Sequence, residues 1–117
     1  MSIAWEKLHS ATVTLAGAGP IKQRLFNAYV NHLASLEAEQ MPREVRDEFG
    51  GLSRALHAVH PLPGEDTVRA TIRKMSDGEA KEHAVQIVNL FAAVARAQAN
   101  PRIGQPAPVV QLYAAEA

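Results

Sequence analysis

Apolar residues in the stretch Ser76 to Ala99, SDGEAKEHAVQIVNLFAAVARAQA, recur at steps of three and four: Ala84, Ile87, Val88, Phe91, Val94 and Ala95. That spacing places them on one face of a helix. Val85, Leu90 and Ala92 widen the face to more than half of the circumference, the pattern of a helix that packs on several neighbours. Ser76 followed three positions later by Glu79 is a capping box. The serine oxygen accepts from the Glu79 amide, and the glutamate side chain reaches back to the amide of Ser76. Asn100-Pro101 marks the other end, because a residue before proline is pushed out of the helical region. At 1.5 Å per residue this helix runs roughly 30 Å, about the diameter of a small domain. It is the expected centre of the fold.

Earlier in the chain the same periodicity predicts four more helices. Residues 2 to 16 are the first, with Ser2 as cap, Trp5, Leu8, Thr12 and Leu15 on one face and Ile3 at its edge. Gly17-Ala18-Gly19 breaks it, and Pro20 is expected as the first residue of the next helix, where its missing donor costs nothing. That second helix, Pro20 to about Ala38, carries the cleanest amphipathic pattern: Ile21, Leu25, Ala28, Tyr29, His32, Leu33 and Leu36. After the short polar link Glu37 to Met41, Pro42 starts a third by the same first-turn logic, reaching about Val59 and burying Val45, Phe49, Leu52, Leu56 and Val59. Gly50-Gly51 lies in its middle and costs roughly 2 kcal/mol against two alanines. A continuous but weakened helix is expected there, rather than two short ones.

His60-Pro61-Leu62-Pro63-Gly64 is a loop. The following TVRATI has the β-branched residues of a strand, but Val68, Ile72 and Met75 fit a helical stripe. Glu65 and Asp66 at one end and Arg73 and Lys74 at the other match a helix dipole. With no partner strand elsewhere in the chain, a helix is expected. The expected class is therefore all-α, a bundle of four to five helices over residues 1–100. Residues 101–117 are expected to be an extended arm, since Pro101, Pro106 and Pro108 oppose regular helix.

Composition sharpens this picture by exclusion. A chain of 117 residues is one domain by the usual length prior and can bury a core without staples. It has no cysteine, so disulfides, cysteine zinc sites and thiol catalysis are excluded. Formal net charge is zero, which argues against binding nucleic acid chiefly by phosphate neutralisation. The opening residues MSIAWEKLHS lack the charged and apolar regions of a signal peptide, and no apolar run approaches a membrane span. A cytoplasmic protein, away from membranes, is the expectation.

Candidate chemistry is sparse. His57 and His60 are three apart and can face one metal, and Glu79 and His83, four apart, can supply further ligands. The competing explanation is that His57 and His60 favour a helix C-terminus and the other pair is solvated, so no metal or other cofactor is expected. The serines lie in helical or capping contexts, none in a nucleophile elbow. The segment around His83, EHAVQ, and that around His57, LHAVH, lack the Lys-Gly-Ser run of a phosphotransfer histidine. Gly17-Ala18-Gly19-Pro20 lacks the lysine and preceding strand of a phosphate loop. Thr67 to Met75, a tight turn, then the long helix has helix-turn-helix spacing, with Arg69, Arg73 and Lys74 able to meet phosphates. Yet the would-be recognition helix opens with Asp77, Glu79 and Glu82, which repel a duplex.

The arm carries the sharper signal. Ile103, Val109, Val110, Leu112 and Tyr113 make it apolar, and prolines preorganise it, so docking it costs less entropy than docking a flexible tail. Val109, Val110, Leu112 and Tyr113 are the expected anchors on another protein, a second copy, or the chain's own core. The expected function is a non-catalytic protein-interaction or regulatory module, possible as a homodimer. A helix-turn-helix regulator and a metal-dependent enzyme are the alternatives. As a core residue of the central helix, Phe91 replaced by alanine is expected to cost about 3–5 kcal/mol in denaturant unfolding.

Overall fold

Ser2 takes extended backbone and its hydroxyl accepts from the Trp5 amide at 3.1 Å, starting α1, Ile3–Leu15, in the computed structural model, which describes residues 2–99. Five α-helices make up the framework, and no strand occurs among the described residues. The described part of the protein is all-α. None of these helices is long and apolar enough to cross a membrane. The arm, with Val109, Val110, Leu112 and Tyr113, lies outside the described residues.

The buried face of α1 is Ala4, Leu8, Ala11 and Leu15. Trp5 and Thr12, expected inside, are only half-buried, and Ile3 is exposed. Alanines at the contact let a neighbouring helix approach closely, which turns the larger Trp5 to the rim. Gly19, at φ 104, makes the reversal that follows. Arg24 then reaches back, donating to the Leu15 carbonyl at 2.7 Å and to Gly19 at 2.8 Å, so a cation satisfies orphan carbonyls at the end of α1.

The second helix, α2, spans Ile21–Ala28, with Pro20 as its cap (ψ 146) rather than its first helical residue. It does not continue as an α-helix towards Ala38. Tyr29–Leu33 form a π-helical turn, closed by the Ala34 amide donating to the Tyr29 carbonyl at 2.8 Å. Tyr29 and Leu33, at the two ends of that turn, are both buried. The link that follows is not merely polar. Ala38–Gln40 form a 3₁₀ turn, and Met41 is 2% exposed.

A second 3₁₀ turn, Arg43–Val45, leads into α3, Arg46–Leu56. Pro42 precedes the turn, and the helix stops at Leu56, leaving Val59 half-buried in the loop. Gly50 and Gly51 are helical, as expected, within one continuous helix. No neighbour presses on them: a methyl group at either position meets only the tip of the Arg54 side chain, at 3.4 Å and 3.9 Å. Asp66 caps α4, Thr67–Lys74, by accepting from the Arg69 amide at 2.7 Å. Ser76 and Glu79 form the expected capping box, at 3.0 and 2.8 Å, and α5 runs over Asp77–Ala99.

This last helix packs on α1, α2 and α3, burying Ala80, Ala84, Ile87, Leu90 and Val94. Its expected wide face narrows to that stripe. Val85 and Val88 are 48% and 40% exposed, and Phe91 is only half-buried. The stripe is what one row of neighbours can cover. Since Leu90 is fully buried and Phe91 is not, Leu90→Ala is expected to cost about 2–5 kcal/mol in urea unfolding, and Phe91→Ala less than the ~3–5 kcal/mol expected from sequence. Gly50→Ala and Gly51→Ala are each expected to stabilise by about 1 kcal/mol in the same assay.

Candidate functional site

Four surface regions gather the side chains with chemical potential. The first lies around His57, which ends α3. Its Nδ1 meets the Thr67 hydroxyl at 2.6 Å, and its Nε2 meets the Tyr29 hydroxyl at 3.2 Å. The same tyrosine oxygen bonds Ser53 at 2.9 Å. Tyr29 is 1% exposed, so this chain of hydroxyls and imidazole gives its polar tip the partners that burial demands. Both ring nitrogens of His57 are thus engaged within the chain. Next to it, the buried Thr71 hydroxyl donates to the Thr67 carbonyl at 2.7 Å and accepts from the Val59 amide at 3.0 Å.

A second region holds the other expected ligand pair. Glu79 and His83 line a shallow cleft of about 230 Å³ with Ala55, Val59, Thr71, Lys74 and Met75. The His83 Nδ1 is buried there without a hydrogen-bond partner. Among the described residues, no group of three or more histidines and carboxylates is arranged around a common point.

The third region is cationic. Arg69 and Arg73, one turn apart on α4, line a cleft of about 240 Å³ with Lys22, Gln23, Phe26, Glu65 and Ile72. The charges are already engaged. Arg73 grips Glu65 in a bidentate pair at 2.8 and 3.0 Å, and Arg69 lies 4.2 Å above the Phe26 ring. Lys22 donates to the Arg73 carbonyl at 3.0 Å, satisfying the end of α4. Lys74 faces the His83 cleft instead. The structure thus brings together Arg69 and Arg73 of the three candidate phosphate contacts and parts Lys74 from them.

The fourth region went unread in the sequence. On the rim between α1 and α5, Trp5 and His9 stack at 5.0 Å, and the Phe91 ring meets them edge-on or tilted at 5.5 and 5.6 Å. Such aromatic pairs contribute beyond the area they bury. Val88 and Val85 continue this surface along α5. The signal was available in two parts: Trp5 and His9 are one helical turn apart, and the widened face of α5 exceeds what neighbours cover.

Comparison with protein-family models, curated proteins and solved structures finds no match for this chain.

Two titrations are perturbed at these sites, those of Glu65 and Arg73, whose mutual hydrogen bonds lower the first and raise the second. The Arg73 guanidinium hydrogen-bonded to Glu65, and then the Leu62 amide at 3.1 Å, hold the Glu65 carboxyl below its usual range. A carboxyl depressed in the folded state adds stability that is full above its unfolded pKa. That stability disappears as pH falls through the folded value. Glu65→Gln is therefore expected to lower the melting temperature at neutral pH. The difference from the parent protein should close on acidification below the ordinary glutamate range, as read by thermal denaturation across pH.

Proposed function

We propose that this protein is a non-catalytic interaction module that acts by binding another protein. The observation that supports this best is the half-exposed Trp5–His9–Phe91 stack, continued by Val85 at 48% and Val88 at 40% exposure. Large rings at a surface supply contact area at low entropic cost, and aromatic anchors dominate interface energies. The arm adds a second apolar element, with Val109, Val110, Leu112 and Tyr113 as its anchors. Self-association fits the same surface.

The helix-turn-helix alternative draws on the two-residue step, Met75 and Ser76, between α4 and α5. Against it, Glu65 occupies Arg73, and Asp77, Glu79 and Glu82 lie exposed where a duplex would have to come. Binding to random duplex at low salt that weakens steeply as salt rises would favour that reading over ours.

The test is affinity capture with three baits carrying the same tag: the full chain, a version ending at Asn100, and a Trp5→Ala variant. The version ending at Asn100 should keep its helical circular dichroism. Partner recovery is expected to fall for both altered baits. Equal recovery by all three, from baits shown to be folded, would remove the protein-binding surface and the arm from consideration.

A further inference from the structure

The apolar residues that α5 leaves outside its buried stripe, with Val85, Val88 and Ala99 exposed and Ala92 and Ala95 half-buried, follow a different rhythm from those it buries. Val85, Val88, Ala92, Ala95 and Ala99 step by three, four, three and four, the heptad spacing of a coiled-coil seam. The buried set, Ala80, Ala84, Ile87, Leu90 and Val94, is a separate stripe turned into the domain. Two such stripes on one helix call for two sets of partners; α1, α2 and α3 together take the buried stripe and leave Val85 and Val88 exposed. The seam is not a line of small residues alone. It carries two valines at 48% and 40% exposure, with the Trp5–His9–Phe91 stack along one flank.

Its other flank is charged in a way that identifies the occupant. Glu82, Asn89 and Arg96 are spaced by one heptad each, all exposed, beside the seam. Glu82 and Arg96 lie two heptads apart, about 21 Å along the axis, so they cannot pair with each other on one helix. Among the described residues, the ion pair that forms is Arg73 with Glu65, elsewhere. A helix whose negative and positive flanking charges are symmetric about a neutral centre is complementary to itself run backwards.

We propose that the occupant is a second copy of this chain, its α5 laid antiparallel on the first about a two-fold axis near Asn89. This rests on the protein-binding reading and names the partner for that surface. In this register Val85 meets Ala95 of the second copy and Val88 meets Ala92, so each larger side chain faces a smaller one. Glu82 of each copy lies beside Arg96 of the other, giving two equivalent ion pairs, as a closed two-fold interface requires. The parallel arrangement would set valine against valine and alanine against alanine, and would leave both charges unpaired.

Sedimentation equilibrium of the full chain over a wide concentration range is the test. A reversible monomer–dimer equilibrium is expected. Val88→Glu, at an exposed position, should leave the circular dichroism unchanged and give monomer. Glu82→Arg and Arg96→Glu should each weaken the dimer by about tenfold or more, since each sets like charges together twice. The doubly reversed protein should recover the parent affinity. A chain that is monomeric at every concentration overturns the proposal, as does a dimer indifferent to Val88→Glu. Failure of the double reversal to recover affinity overturns the antiparallel register. If the parent is monomeric but Val88→Glu still abolishes capture of a different protein, the second copy is the wrong occupant and the protein-binding reading stands. If neither responds, both fall.

Discussion

Everything in this fold depends on the antiparallel seating of α1 against α5. The two helices are held at one end by a reciprocal contact: the Ser2 amide donates to the Gln98 side chain at 3.2 Å, and the Gln98 amide donates to the Ser2 hydroxyl. Ser2 thus begins one helix while fixing the far end of another, ninety-six positions along the chain. Between these points Ala4, Leu8 and Ala11 face the stripe Ile87, Leu90 and Val94, all fully buried. The remaining helices fill in around that pair, with α2 and α3 also packing on α5. Because the pairing uses one narrow stripe, it also decides what stays outside. The aromatic stack, the two valines and the flanking charges of α5 are uncovered for the same reason that its core is well made.

Polar side chains serve mainly to finish helix ends. Arg24 closes α1, Lys22 closes α4, and Arg46 donates to the Met41 and Glu39 carbonyls across the turns before α3. Asp66 and Ser76 supply the opposite service at helix starts. Short helices leave many orphan backbone groups for each residue they order, so the five described helices draw on charged and hydroxyl groups to satisfy them. His57 is the clearest case. Its spacing from His60 suggests chemistry, and its surroundings make it the bridge between the buried Tyr29 and the start of α4.

The sequence was most legible where a local rule acts alone. The capping box at Ser76, the Ser2 cap, the loop at His60 to Gly64 and the helical state of the TVRATI segment all follow from chemistry within four residues. It was least legible where burial depends on what lies opposite. Val85 and Phe91 look like core residues because they are apolar and in phase, and only the position of α1 shows that the covered stripe ends before them. The same blindness affects length. Nothing near Tyr29 signals that the ladder widens there, since Tyr29 and Leu33, four apart, share a face in an ordinary helix as well. Of the surface sites, the arginines of α4 were identifiable by type, but not their prior engagement by Glu65 and Phe26.

The π turn at Tyr29–Leu33 has a consequence for how this chain can vary in length. A deletion inside an ordinary helix rotates every later side chain by about 100°, emptying one face and burying another. A π turn already contains one residue more than an ordinary helical turn, so removing one there restores ordinary helix, leaves the faces of α2 before it in phase and keeps the link after it in place. Among the helices described here, this is the place where a chain one residue shorter can keep its core.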